Sequence, residues 1–267
     1  MNNYCIVVFI YKNELYDYEQ LSLLRITDFV IKNNLIDHTY FVMPNSFNFN
    51  EFLDKYMTPF DINIGYNSVT FYDYCFASVN AYNNLLMLNR QFYEYFSNNY
   101  DYIFTYQLDG YIFDNQFEYF MEHDFDYIGG YNLPMNCSLF SYKKYDNIDS
   151  EKHLLMNGGI SLRKIKFCIE TIENNYENII QELYFDSTNS YLMEDVFFSM
   201  FYKKNVSAID SIRFSLNYSA AETHYAINNF NYPFCCHGFN KSIFLQKLIK
   251  KYNEENNLDY ENFIIKT

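Results

Sequence analysis

Residues 100–113 read Tyr100-Asp101-Tyr102-Ile103-Phe104-Thr105-Tyr106-Gln107-Leu108-Asp109-Gly110-Tyr111-Ile112-Phe113, and this stretch decides how the rest of the chain is read. Ile103 and Phe104 among aromatic neighbours predict a buried strand that ends in an acidic residue followed by glycine. In open α/β sheets ligands gather beyond the carboxyl ends of the strands, so Asp109 is a candidate ligand for a cation or a polar substrate. An Asp-Gly pair after a strand is also a turn signal, and taken alone it reads as a turn.

Upstream of this stretch, residues 4–11 (YCIVVFIY) are continuously apolar, as a first strand buried on both faces would be. A polar loop of Lys12, Asn13 and Glu14 follows, and Leu21, Leu24, Ile26 and Val30 are spaced for an amphipathic helix that also carries Arg25. The loop has no glycine-rich fingerprint, which removes the dinucleotide and P-loop motifs. Residues 39–43, closed by Pro44, predict a second strand, residues 49–56 a short helix, and either 62–64 or 69–71 a third strand. Residues 73–88 and 91–96 read as helical and lead into the Asp109 strand.

Downstream, residues 115–123 predict a helix and residues 127–130 (YIGG) a short strand. This alternation predicts an α/β fold with a mostly parallel sheet flanked by helices. Periodicity is lost over residues 131–156, a long loop of the kind that forms lids or binding segments. Asn157-Gly158-Gly159 then predicts a turn into a short strand, with a helix over residues 165–183. Glu194-Asp195 opens another helix, where carboxylates favour the dipole and an aspartate stays ionised as a general base must be. Residues 233–239 (PFCCHGF) surround His237, and a last helix is expected over residues 241–252. With no repeat and no linker, residues 1–252 read as one domain and 253–267 as a tail or peripheral helix.

Of the 267 residues 49% are hydrophobic and 22% aromatic, ample for a core. A formal net charge of −14 argues against nucleic acid, which needs a basic stripe. A diphosphate would need a divalent cation to reverse the local charge. The six cysteines lack zinc or disulfide spacing and are expected to be reduced thiols. The first residues lack a basic start with a cleavage site, and no apolar run reaches ~18 residues, so neither export nor a transmembrane segment is expected and the expected location is cytoplasmic.

The order of strand-end aspartate, Gly-Gly, Glu-Asp and C-terminal histidine resembles the GT-A glycosyltransferase superfamily. More narrowly, the chain resembles DUF5672, a family of unknown function. The resemblance rests on residues 106–113 (YQLDGYIF), 126–129 (DYIG), 157–163 (NGGISLR), 194–198 (EDVFF) and 233–237 (PFCCH), and it spans residues 4–245. It implies a GT-A-like, Rossmann-like single domain that moves a sugar from a nucleotide-sugar donor, most often a UDP-sugar, to a glycan or other hydroxyl acceptor.

Carried over residue by residue, the resemblance implies that Asp109 and His237 hold Mn²⁺ or Mg²⁺. Tyr11, Lys12, Arg25, Gln107 and Asp109 would then meet the donor, and Asn157, Gly158 and Gly159 the acceptor or the donor sugar. Asp195 would be the base of an inverting transfer, with Glu194 the alternative base or an acceptor ligand. Gln107 stands where the usual Asp-x-Asp has its first carboxylate. That substitution and the aromatic richness motivate the alternative of a non-catalytic carbohydrate-binding or scaffolding protein that retains the fold.

Overall fold

The computed structural model describes residues 3–58, 66–113, 116–132, 154–185, 193–203, 206–258 and 260, with the backbone alone for 178–185. Strand β1 (Tyr4–Phe9) is buried almost end to end, which accounts for its unbroken apolar run. It pairs in parallel with β2 (Thr39–Pro44) on one side and β4 (Tyr102–Tyr106) on the other, and β3 (Asn67–Phe71) continues in parallel beyond β2. Next to β4 the direction reverses. Strand β7 (Met156–Lys164) runs antiparallel to β4, and β6 (Tyr127–Tyr131) antiparallel to β7, giving the order β3-β2-β1-β4-β7-β6. The sheet is therefore mostly parallel, as expected, with an antiparallel pair added at one side.

Helices cover the sheet: α1 (Asp17–Lys32), α2 (Phe49–Tyr56), α3 (Val79–Ala81), α4 (Arg90–Ser97), α5 (Phe117–Glu122), α6 (Ile165–Phe185) and α7 (Glu194–Phe201). Local chemistry sets several starts. The Asn48 side chain accepts from the Glu51 N–H at the start of α2, and Asn89 accepts from Gln91 N–H at α4. Between β3 and α4 the helical expectation is met in pieces: a 3₁₀ turn at Asp73–Phe76, then α3, then a π turn at Tyr82–Met87.

A second, three-stranded sheet is what positions the site. Strand β5 (Gly110–Ile112) leaves the Asp109 turn directly and pairs antiparallel with β9 (Cys235–His237), which pairs in parallel with β8 (Ser215–Asn217). Helices α8 (Ala208–Phe214), α9 (Ala221–Ile227) and α10 (Ile243–Glu255) complete this half. A satellite core of Tyr111, Phe113, Leu216, Phe239, Leu245 and Tyr252 lies under it, apart from the main core around β1 and β4.

Two expectations change. Asn157-Gly158-Gly159 is not a turn but part of the nine-residue strand β7. Helix α10 runs past Tyr252 to Glu255, and the buried Tyr260 hydroxyl bonds to Asp28 of α1. Residues 62–64, Cys137 and most of the expected 131–156 loop lie outside the described residues. No described helix is long and apolar enough to cross a membrane.

Candidate functional site

Asp109 is a turn residue and a site residue at once. The turn is made by the backbone: Gly110 N–H donates to Gln107 O at 3.0 Å, and the Asp109 carbonyl accepts from Gly238 N–H at 2.9 Å and Phe239 N–H at 3.2 Å. The side chain is left free for other work. Its Oδ1 lies 3.0 Å from His237 Nε2, which in turn lies 3.3 Å from Gln107 Oε1. The pairing of Gly110 with His237 across β5 and β9 brings a residue 128 positions away (237 − 109) back to the aspartate. Burial alone would raise the Asp109 carboxyl, but the His237 ring and Lys241 outweigh it and hold the group below the usual carboxylate range.

Strand β7 passes alongside, tied to the turn by Gln107 N–H donating to Gly159 O at 3.0 Å. Successive strand residues face opposite sides of a sheet, and its two glycines use this. A Cβ on Gly159 would run into the His237 ring and stand 2.7 Å from Gln107 Oε1. A Cβ on Gly158 would collide with Glu194 and come within 2.8 Å of Arg163 Nη2 and 2.9 Å of Asp195 Cβ. Both positions require glycine for close approach rather than for a turn. Asn157 keeps its amide within the strand, where Oδ1 accepts from Gly159 N–H at 2.9 Å.

On the Gly158 side, the fully buried Arg163 donates to Ser161 Oγ at 2.8 Å, Tyr93 OH at 3.0 Å, Gly158 O at 3.1 Å and Glu194 Oε1 at 2.8 Å. Glu194 is thereby committed to an ion pair with a guanidinium. Asp195 is differently placed. Its Oδ1 accepts from Val196 N–H at 2.7 Å and its Oδ2 from Gly158 N–H at 3.4 Å. Dense surrounding protein, and then the Glu194 charge, push its carboxyl up to about 7, so the helix start does not keep it fully ionised as expected, and the value falls in the range suited to a general base near neutral pH.

The loop after β1 supplies a third side. Lys12 Nζ pairs with the buried Glu19 at 2.7 Å and sits 4.0 Å over the Tyr16 ring, which stacks on Tyr18 at 5.6 Å. Tyr11 is 52% exposed. Burial, then Glu19, and then Tyr11 and Asp109 among the nearby charges raise the Tyr18 phenol to about 12.

Arg25 stands elsewhere. Its Nε donates to Ile112 O at 2.6 Å and its Nη2 to Phe113 O at 2.8 Å, because this face of α1 packs on β5. Two residues that sequence reasoning passed over belong to the surroundings. Lys241, four positions after His237, is the cation that acts on Asp109 and lies 5.1 Å over the Tyr218 ring. Tyr82, on the π turn, comes beside Gln107 and has no sequence signal of its own.

Among the described residues no three His, Cys, Asp or Glu side chains form a cation site. The mixed set of Asp109 Oδ1, His237 Nε2 and Gln107 Oε1 nevertheless fits a divalent ion. Ligands ~2.1 Å from an octahedral ion stand about 3 Å apart at adjacent vertices. The separations of His237 Nε2 from Asp109 Oδ1 and Gln107 Oε1, 3.0 and 3.3 Å, lie near that spacing, which is also the spacing of hydrogen bonds in the absence of an ion. Oxygen and imidazole donors together suit Mn²⁺ at least as well as Mg²⁺.

A family model described as "Protein of unknown function (DUF5672)" matches residues 65–237. No curated protein sequence matches the chain. Among solved structures, the galactosyltransferase LgtC in complex with donor and acceptor sugar analogues is similar with a TM-score of 0.55 at 12% identity, covering 87% of this chain and 86% of that one. Mouse xyloside xylosyltransferase 1 gives a TM-score of 0.52 at 12% identity over 88% of this chain and 97% of that one. The bifunctional glycosyltransferase WbbM gives 0.50 at 11% identity over 99% of this chain and 51% of that one. These neighbours share the GT-A fold, and at such identity the likeness establishes the fold alone.

Proposed function

The chain belongs to the DUF5672 family and has a GT-A fold, and from this premise we propose that it is a nucleotide-sugar-dependent glycosyltransferase. The observation that carries the proposal is the convergence of Asp109, His237 and Gln107 beneath Gly159 at the carboxyl end of β4. A UDP-sugar is the proposed donor, and a glycan or other hydroxyl compound the acceptor.

Asp109 and His237, with Gln107 beside them, would hold Mn²⁺ or Mg²⁺. Such an ion would offset the negative charge that develops on the departing diphosphate. Lys241 adds a positive charge at the same side of the site. Tyr11 and Lys12 border the donor, and Gly158 and Gly159 let the Asp195 and His237 side chains close in on the sugar and the acceptor. As the acceptor oxygen bonds to the anomeric carbon, the bond from that carbon to the diphosphate breaks and Asp195 takes the acceptor's proton, with inversion. Glu194 is tied to Arg163 and leaves this role to its neighbour. Free, buried Cys5, Cys75, Cys168, Cys235 and Cys236 favour a reducing compartment such as the cytoplasm.

The test is calorimetric binding and hydrolysis with the purified protein, Mn²⁺ and a panel of UDP- and GDP-sugars. At least one donor should bind, Asp109→Ala should abolish binding, and Asp195→Asn should lower transfer or hydrolysis by ~10²–10⁴-fold while leaving donor binding in place. Failure of every donor, with and without metal, would sink the proposal. The second reading, a non-catalytic carbohydrate binder, draws on Gln107 in place of a carboxylate, and glycan binding indifferent to chelator and to Asp195→Asn would favour it.

A further inference from the structure

The charge of this chain is unevenly spread. Residues 223–253 contain four lysines, Lys241, Lys247, Lys250 and Lys251, and no aspartate or glutamate. Against a whole-chain charge of −14, this stretch carries +4 and the remainder −18 (−14 − 4). Folding then gathers three of the four lysines on one surface. Helix α10 buries Leu245, Leu248, Ile249 and Tyr252, which leaves Ile243, Lys247, Lys250 and Lys251 exposed along its opposite side at helical spacing. Lys250 and Lys251 approach Glu254 and Glu255 only at 3.9 and 3.7 Å, and exposed pairs of this kind hold weakly. Lys247 has no carboxylate partner among the described residues.

Beside the start of this face stands an exposed ring on an unusual backbone. Asn229 and Phe230 follow α9 at φ of 54° and 59°, the left-handed region that a bulky side chain rarely adopts. Local bonds fix the conformation: Asn228 Nδ2 donates to Asn231 O at 2.9 Å, Asn231 Nδ2 to Asn228 O at 3.0 Å, and Phe230 N–H to Tyr225 O at 2.9 Å. Glycine would suit this φ better, and no core encloses the ring, since Phe230 is 69% exposed. Tyr225 packs edge-on against Phe230 and tilted against Phe244, each at 5.7 Å, so the Phe230 tip adjoins the first turn of α10. Ile243 on that turn is 65% exposed, and Ile227 at the end of α9 is 47% exposed. Three large apolar side chains thus stand out of the surface next to a row of lysines.

We infer that this face docks the protein on an anionic lipid bilayer, with Phe230, Ile227 and Ile243 entering the headgroup region and Lys247, Lys250 and Lys251 lying over the lipid phosphates. Phe and Ile are side chains that a bilayer accepts, and lysines on long stems reach anionic headgroups at its boundary. Charge selects both occupant and orientation: the remaining −18 repels an anionic surface, so the lysine face is the one that meets it. The apolar tips favour a bilayer over a nucleic acid, whose phosphates offer them no burial. Attachment is peripheral, and membrane docking stands independently of the sugar-transfer reading.

The experiment is co-sedimentation of the full chain with vesicles of phosphatidylcholine alone and of phosphatidylcholine with phosphatidylserine in a two-to-one ratio. Wild type should bind the mixed vesicles only, and raising salt from about 0.1 M to about 1 M should release it. Phe230→Gly should weaken binding by about tenfold. Its urea midpoint should hold or rise, because glycine takes a φ of 59° without strain. Lys247→Gln and Lys250→Gln combined should weaken binding by about 10- to 30-fold, whereas Lys55→Gln, on α2 in the other half, should leave it within about twofold. No binding to mixed vesicles, equal binding to both kinds, indifference to salt, or undiminished binding by the Phe230 and lysine variants would overturn the inference. A lowered urea midpoint for Phe230→Gly would make the ring a packing residue and overturn it as well. Self-association without vesicles that Phe230→Gly abolishes would make the face an interface between copies of the chain instead.

Discussion

The two sides of Gly158-Gly159 carry buried polar clusters of opposite character. On the Gly158 side every Arg163 nitrogen has a partner, and Glu194 is bound to it. On the Gly159 side Asp109 Oδ1 and His237 Nδ1 are buried without a hydrogen bond, apart from the 3.0 Å approach of His237 Nε2 to Asp109. The satisfied cluster behaves as scaffold, because a buried charge is tolerated only when paired and hydrogen-bonded. The unsatisfied one holds polar valences open, as a ligand site does before its ligand arrives. The difference shows why Glu194 and Asp195, adjacent in sequence, take different parts: one is spent on Arg163, and the other keeps a carboxyl pushed up to about 7 by burial and by Glu194.

The strongest way to break this contrast is Arg163→Met, which leaves Glu194 buried without its partner. Unfolding in urea should show a loss of about 3–5 kcal/mol. A loss below ~1 kcal/mol would mean that the Arg163 network is no scaffold. Next come the glycines. Gly158→Ala and Gly159→Ala should each cost about 1–3 kcal/mol by overpacking. Only Gly159→Ala should also remove Mn²⁺-dependent nucleotide binding by calorimetry, since its methyl group meets His237 and Gln107. Loss of binding in both variants would blur the two sides into one.

Smaller again is Asp109→Asn, expected to lower Mn²⁺-dependent nucleotide affinity by about tenfold or more, or about 1.4 kcal/mol, with a small fall in the urea midpoint at neutral pH from the lost attraction to His237 and Lys241. A large stability loss would move Asp109 into the scaffold. The mildest effect is on pH dependence, because Asp195 keeps some solvent contact that screens it. With a folded value of about 7, its contribution to stability is fully present below the ordinary carboxylate value of about 4 and is lost as pH rises through about 7. Asp195→Asn should therefore gain stability relative to wild type at pH 8 and lose that advantage at pH 4, as read from urea midpoints. Asp109 works in the other direction, since its lowered value gives stability that is present above the ordinary carboxylate value and lost in more acidic solution.

Much of the fold was legible in local pattern. The apolar run at β1, Pro44 closing β2, and the helix at Phe49–Tyr56 follow from burial and capping that neighbouring residues determine. Strands of three residues are too short for any period to register, so the β5-β9-β8 sheet was not visible beforehand. Asn157-Gly158-Gly159 was read as a turn because glycine pairs are the ordinary mark of one. Its glycines instead answer to side chains that arrive from residues 107, 163, 194 and 237. Arg25 carried a charge suited to a phosphate, yet α1 turns it toward the carbonyls of Ile112 and Phe113.

By itself the sequence determined the alternation of strands and helices, the burial of β1 and β4, and the placing of Asp109 just beyond a strand end, since each depends on residues close in the chain. Tertiary structure alone decided that β7 inserts antiparallel beside β4, that β9 returns His237 to within 3.0 Å of Asp109, and that Glu194 is paired with Arg163 while the Asp195 carboxyl is pushed up. The physical reason is range. Periodicity and capping are local, whereas the partners that make a carboxylate a ligand, a base or a strut come from across the chain and are fixed only when the two sheets close on each other.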